Sequence, residues 1–135
     1  MECEWTDIIQ SFLQIPMSFE AIIFDLDYTL FDESSYLNKV IEKSGVFKKK
    51  EIKKININYD FRINSKDILK DILLLHGYYN QKNKIKIYKT FTTLQMNLKL
   101  YRGFIALFNH IKKIKIKTGI LTNGLVNVQK NKIKL

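Results

Sequence analysis

The sequence predicts an α/β protein built on a parallel sheet, and three observations carry this prediction. Residues 21–24 form an apolar run that leads straight into Asp25, which is typical of a strand buried on both faces. Residues 116–122 form a second strand-like run, and residues 34–100 between them carry apolar side chains at helical spacing. A strand, a helical connection and a second strand in this order imply a right-handed crossover between parallel neighbours.

The segment after the first strand carries several helix signals. Ser34 or Ser35 can cap a helix that ends at Gly45. The Lys- and Asn-rich residues 48–60 are predicted to form a loop. Further helices are predicted from Ser65 to Gly77, over residues 81–97, from Gly103 to Lys113 and onward from Gly124.

Two carboxylates stand at the end of the first predicted strand. Asp25 and Asp27 lie two positions apart, and side chains at that spacing point to the same side of a strand. Ligands of open α/β sheets bind at the carboxyl ends of the strands. Two negative charges at this short separation repel each other, so the pair of carboxylates favours a bound cation. One acid can then attack phosphorus while the other moves a proton. The alternative is a pair of solvated acids, which the depletion of acids in strands disfavours.

Two segments of the chain resemble a known family. Residues 25–30, Asp-Leu-Asp-Tyr-Thr-Leu, look like the first signature of the haloacid dehalogenase-like (HAD) superfamily of phosphohydrolases. Residues 118–124, Thr-Gly-Ile-Leu-Thr-Asn-Gly, resemble the second signature, a strand that ends in Thr or Ser. The dehalogenases of this family lack an acid at the position of Asp27, so the resemblance favours phosphate esters over carbon–halogen bonds.

The resemblance implies a Rossmann-like α/β core, incomplete here, with a helical cap inserted after the first strand. Residues 19–33 and 101–135 would form the core, and residues 34–100 the cap. The alternative is that these helices belong to a single helical core. Residues 1–18 would be a leader containing a short helix, and translation is expected to begin at Met17.

The resemblance also implies a mechanism. Asp25 would be the nucleophile that forms an aspartyl-phosphate, and Asp27 the general acid and base. Thr122 and the amides near Asn123 and Gly124 would bind the phosphate. Mg²⁺ would be held by the Asp25 carboxylate and the backbone carbonyl of Asp27. The expected substrate is a small phosphorylated metabolite, and the expected activity is that of a Mg²⁺-dependent phosphatase.

The match to the family stops before its third and fourth signatures. Asp71 is the last acid, and residues 72–135 hold 13 bases. The acids of the fourth signature are therefore missing from their place in the family, and two parallel strands are too few to bury a two-faced sheet. We expect a phosphatase whose C-terminal part is lost, with weak or absent activity. The alternatives are a phosphate-binding pseudoenzyme and a small Lys-rich nucleic-acid-binding protein.

The composition of the chain restricts its possible partners and its cellular location. The formal net charge is +10, but 21 of the 23 basic residues are Lys and only Arg62 and Arg102 are Arg. Because nucleic-acid readers usually use Arg for bidentate contacts, a solvated Lys-rich surface is favoured over nucleic-acid binding. No apolar run approaches the ~20 residues of a membrane span. A single cysteine, Cys3, and the absence of a signal-peptide pattern in the first residues predict a cytoplasmic protein.

Overall fold

The computed structural model describes residues 20–133. The predicted leader, its short helix and the expected start at Met17 lie outside the described residues. The elements in chain order are β1 (Ala21–Phe24), α1 (Glu33–Ser44), α2 (Lys49–Ile52), α3 (Tyr59–Asn64), α4 (Ile68–Leu75), α5 (Gln81–Thr93), α6 (Arg102–Lys113), β2 (Lys117–Ile120) and α7 (Val126–Ile133).

The α/β class is confirmed, with β1 and β2 paired in parallel in the described part of the chain. The register runs from Ala21 opposite Lys117 to Phe24 opposite Ile120. One further hydrogen bond, from Leu121 N to Phe24 O at 2.9 Å, joins the last residue of β1 to the residue just after β2. The carboxyl ends of the two strands therefore lie at the same edge of the sheet.

The apolar run predicts the position of β1 correctly but overstates its burial. One face is packed, because the Phe24 ring meets the Phe104 ring of α6 edge to face at 5.1 Å. Ile23, which alternates with Phe24, is 66% exposed, and Leu121 just after β2 is 71% exposed. Within residues 20–133, β1 pairs with one strand only. Its side chains are therefore less buried than those of a strand inside a larger parallel sheet.

The chain divides into two compact units. Among the described residues, the sheet unit comprises residues 20–31 and 99–122, and the helical unit comprises residues 32–98 and 123–133. The predicted cap covers residues 34–100, and the first segment of the helical unit covers residues 32–98. Each predicted boundary therefore differs by two residues from a boundary between the units. Residues after Thr122, which the sequence analysis assigned to the core, group with the helical unit. The assignment of the units to the family's core and cap stays a prediction.

The helical unit is built around α5. Helices α1, α4 and α7 each pack against it. The buried positions of α1 and α4 follow the i, i+3, i+4 spacing of an apolar helix face. The best-buried side chains are Tyr36, Leu37, Val40 and Ile41 on α1, Ile72 and Leu73 on α4, Ile87 on α5 and Val128 on α7.

Two helix starts differ from the prediction. Helix α1 is capped by Asp32, whose carboxylate accepts a hydrogen bond from Ser34 N at 2.9 Å, so the serines lie inside the helix. Helix α4 is capped by Asp67 rather than by Ser65. Asp is as good an N-cap as Ser, so a nearby acid can take the position that a serine was expected to hold.

The helix ends at glycine are predicted well. Gly45 and Gly77 both have a positive φ, 63° and 72°, and stand just beyond α1 and α4. The left-handed backbone that follows a helix carries no steric cost at glycine, which explains both positions.

The prediction of a loop over residues 48–60 is wrong in part. The short helix α2 and the start of α3 fall within it, and α3 is capped by the Asn58 side chain. Neither helix fully buries a residue, so neither leaves an apolar period in the sequence. Elsewhere α5 ends at Thr93 instead of near residue 97, and α7 begins two residues after Gly124.

Among the helices that the structure describes, none combines the length and the apolar character that a membrane crossing requires.

Candidate active site

The turn that follows β1 presents Asp25 at the edge of the sheet. The Asp25 side chain is exposed, and its Oδ2 accepts a hydrogen bond from Thr29 Oγ1 at 3.2 Å. Leu26 and Leu30 are buried on either side of the turn, and Leu30 N donates to Leu26 O at 3.0 Å. The two buried leucines and the hydrogen bond between their backbones thus fix the conformation of the turn. The Asp25 carboxylate is therefore attached to a well-held backbone.

Asp27 lies two residues further along the same turn and is half-buried. It forms a β-bridge with Phe31, which bridges Leu100 in turn. Tyr101 N donates to Leu30 O at 3.0 Å, so the strand-like segment before α6 fixes the far end of the turn. This support joins residues about seventy positions apart, so no local pattern in the sequence predicts it.

Thr122 leaves the neighbouring strand at the same edge. It follows Leu121, whose amide is bonded to the carbonyl of Phe24, the residue directly before Asp25. Because β1 and β2 are parallel, Asp25, Asp27 and Thr122 all lie beyond the carboxyl ends of paired strands. The structure therefore brings these three predicted residues to one edge of the sheet unit, where open α/β sheets bind ligands.

Asn123 and Gly124 are placed in the helical unit and are exposed. A β-carbon at Gly124 would lie 2.7 Å from Nε2 and 3.0 Å from Cδ of Gln129, a buried residue of α7. A larger residue at this position would therefore require the buried Gln129 side chain to shift. Its predicted part in phosphate binding, like that of Asn123, stays a prediction.

The helical unit contains a buried ionic group that the sequence analysis missed. Glu33 is 4% exposed and contacts two cations, with Arg62 Nε at 2.9 Å and Lys132 Nζ at 3.1 Å. Lys132 Nζ also lies 5.0 Å from the centroid of the Tyr36 ring. Glu33 and Lys132 are 99 positions apart, so no local pattern announces their pairing.

The acids at the sheet edge offer the ligand type that Mg²⁺ prefers. Carboxylate and carbonyl oxygens suit a hard cation, and Mg²⁺ is commonly held by one or two carboxylates together with waters and substrate phosphate. Asp25 and Asp27 supply such oxygens. Within residues 20–133 there is no group of three or more His, Cys, Asp or Glu side chains that could hold a metal ion. A cation held by Asp25 and Asp27 would therefore have few protein ligands among the described residues.

Comparison with known proteins adds one finding. A family model described as haloacid dehalogenase-like hydrolase matches residues 19–135. The matched region contains both the acid pair after β1 and the Thr122 segment after β2. No curated protein and no solved structure matches the chain.

Proposed function

Because the chain belongs to the haloacid dehalogenase-like hydrolase family, we propose that it hydrolyses a small phosphomonoester through an aspartyl-phosphate intermediate. The hydrolase class follows from the family. One observation supports the phosphate chemistry most strongly: Asp25 and Thr122 follow paired parallel strands, so an acid and a hydroxyl stand at the same edge.

In the first step a carboxylate oxygen of Asp25 attacks phosphorus. An aspartyl-phosphate bond forms as the bond between phosphorus and the leaving oxygen breaks. Asp27, in its protonated form, gives its proton to that oxygen, so the alcohol leaves neutral. Asp27 thereby favours a phosphate ester as substrate, since an alkoxide leaving group needs an acid and a halide does not.

In the second step a water molecule attacks phosphorus of the intermediate. Asp27, now ionised, takes the proton from the water, and the bond between phosphorus and Asp25 breaks. Inorganic phosphate is released, and both acids return to their initial protonation states. The hydrogen bond that Thr29 donates orients the Asp25 carboxylate for the attack of the first step.

Thr122 donates its hydroxyl to a phosphate oxygen, and the amides near Asn123 and Gly124 are proposed as further donors. Mg²⁺, held by the Asp25 carboxylate and the Asp27 carbonyl, would supply positive charge for the phosphoryl oxygens. We infer weak turnover for this chain, because its described residues offer the ion few protein ligands.

The proposed partner is a small phosphorylated metabolite. Nucleic acid is not part of the proposal, because 21 of the 23 basic residues are Lys. The proposal places the protein in a reducing compartment such as the cytoplasm, since Cys3 is its single cysteine.

Hydrolysis of an aryl phosphate in the presence of Mg²⁺ tests this function. We expect slow release of phosphate that Asp25→Asn abolishes, because the amide cannot serve as the nucleophile. Asp60→Asn, which removes an exposed acid of the helical unit, is the matched control and should keep the wild-type rate. Turnover that survives Asp25→Asn would contradict the proposal.

A phosphate-binding protein without turnover is the second candidate, and the small number of acids at the sheet edge favours it. The same assay separates the two when it is paired with a phosphate-binding titration. Binding of phosphate that Thr122→Val weakens, without any hydrolysis, would replace the enzymatic proposal by this one.

A further inference from the structure

Tyr28 adopts a backbone conformation that its side chain disfavours. Its φ is 57°, the left-handed region in which a β-carbon crowds the following carbonyl group. Glycine avoids this crowding, and asparagine tolerates it better than an aromatic residue does. The turn imposes the conformation on Tyr28, since Leu26 and Leu30 are buried on both sides and their backbones are hydrogen-bonded to each other.

Lys115 is the other non-glycine residue with positive φ among those described, and its case has a simple explanation. It stands just past the end of α6, where Lys115 N donates to Lys112 O at 3.2 Å and Ile116 N donates to Ile111 O at 3.3 Å. This pair of bonds is the usual left-handed termination of a helix. Tyr28 does not follow a helix, so helix termination does not explain it. Strained residues of this kind concentrate at functional sites.

The position of Tyr28 relative to the proposed chemistry suggests what the ring does. A general acid must lie within hydrogen-bond reach of the leaving oxygen that it protonates. The leaving group of a substrate attacked by Asp25 therefore lies beside Asp27, and Tyr28 is the next residue. Tyr28 is half-buried, so part of it is accessible to a ligand. An aromatic ring there offers an apolar, rigid surface next to two acids.

We propose that Tyr28 is a specificity-determining residue whose ring stacks on the leaving group, so that the site prefers phosphomonoesters with a planar aromatic leaving group, namely aryl phosphates. This inference rests on the proposed function. The Tyr28 ring contributes stacking to substrate binding, which glycine or asparagine cannot do. This contribution explains why a tyrosine occupies a left-handed position. An aromatic pair worth about 1 kcal/mol corresponds to a preference of about fivefold in affinity.

Two non-hydrolysable probes test the proposal on the full chain in the presence of Mg²⁺: phenylphosphonate and methylphosphonate. Their affinities are measured by titration for the wild type and for two substitutions at one position. Tyr28→Phe keeps the ring, and Tyr28→Asn removes it while relieving the backbone. Tyr79→Asn, which removes an exposed tyrosine of the helical unit, is the matched control. Thermal melting of each variant accompanies the titrations.

We expect the wild type, Tyr28→Phe and Tyr79→Asn to bind phenylphosphonate about fivefold more tightly than methylphosphonate. Tyr28→Asn should bind both probes equally and should melt no lower than the wild type, since the strain is reduced.

Each other outcome overturns a defined part of the account. If neither probe binds the wild type, the proposed function fails and this inference fails with it. If both bind but Tyr28→Asn keeps the preference, the inference alone fails. If Tyr28→Asn melts well below the wild type and loses both probes to the same degree, Tyr28 is a structural residue and the inference is wrong.

Discussion

The two compact units solve the problem of burying apolar surface to different degrees. In the helical unit Leu73 is 0% exposed, whereas in the sheet unit Leu121 is 71% exposed. The contrast holds for these two positions and not for every leucine, because Leu30 of the sheet unit is 4% exposed and Leu75 of the helical unit is 70% exposed. The helical unit carries most of the packing that the described chain achieves. The residues proposed to carry the chemistry stand on the less covered unit.

The units differ in the same way in their charges. Glu33 of the helical unit is buried and contacts two cations, while Asp25 of the sheet unit is exposed and is contacted by a hydroxyl. A buried carboxylate is stable only when its charge is compensated. An exposed carboxylate remains accessible to a cation and to a substrate. The comparison thus separates acids that hold the fold from acids that are available for reaction.

The largest expected effect is the loss of the buried carboxylate in the helical unit. Glu33→Gln leaves the ammonium group of Lys132 buried without its acid, which should cost about 3–5 kcal/mol in the free energy of unfolding. Urea unfolding followed by circular dichroism measures it. Glu42→Gln is the matched control, because the Glu42–Lys39 pair at 2.8 Å lies on the surface and should not change stability measurably. Similar losses from both substitutions would show that burial does not distinguish these acids.

The next effect compares the two leucines directly. Leu73→Ala opens a cavity in the helical unit and should cost about 3 kcal/mol. Leu121→Ala removes an exposed side chain and should change the free energy of unfolding by less than about 0.5 kcal/mol. The two variants are compared by urea unfolding under the same conditions. A loss at Leu121 as large as that at Leu73 would mean that the sheet face is covered in solution.

Two glycines sharpen the comparison further. Gly124→Ala forces its β-carbon against the buried Gln129 side chain of the helical unit, and we expect a loss of about 2 kcal/mol. Gly119→Ala in β2 meets only Ile23 Cγ1 at 3.9 Å, an ordinary contact. Because alanine is favoured over glycine inside a strand, this variant should gain up to about 0.5 kcal/mol. Thermal melting should order the proteins as Gly119→Ala, wild type, Gly124→Ala, and the reverse order would contradict the packing described.

The smallest expected effect is a dependence on alkaline pH that arises in the helical unit. Burial, together with the hydrogen bond that Tyr88 donates to Asp67, raises the pKa of Tyr88 above its ordinary value of 10.0. The folded chain therefore holds this proton more tightly than the unfolded chain. The contribution is fully present below pH 10.0 and is lost as pH rises from there toward the raised pKa.

Tyr88→Phe removes this contribution. The stability difference between wild type and Tyr88→Phe should therefore shrink as pH rises from about 9 to about 11. A difference for Tyr88→Phe that stays constant over this range would show that the Tyr88 proton is not held by the fold.

Local sequence signals predicted the elements of the fold that local chemistry determines. Gly45 and Gly77 end their helices because glycine tolerates the left-handed backbone that follows a helix. The caps at Asp32 and Asp67 differ from the predicted serine caps, because both residue types accept the same hydrogen bond from the backbone. The exposure of Ile23 could not be read from its apolar run, because burial depends on which elements cover the strand.

The candidate site was predictable where it depends on strand ends and not where it depends on distant contacts. The sequence patterns led to Asp25, Asp27 and Thr122, and parallel pairing brings all three to one edge. The bond from Tyr101 to Leu30 and the pairing of Glu33 with Lys132 join remote parts of the chain. The left-handed backbone at Tyr28 was hidden for another reason: tyrosine gives no sign of that conformation.

The central claim is that Asp25 attacks a phosphoryl group at the sheet edge, and covalent labelling tests it most directly. The chain is incubated with radiolabelled acetyl phosphate and Mg²⁺, quenched in acid and digested. The account predicts label on the peptide that contains Asp25, more label in Asp27→Asn because the second step loses its base, and none in Asp25→Asn. Phosphate release without any label on that peptide, at a rate unchanged in Asp25→Asn, would contradict it.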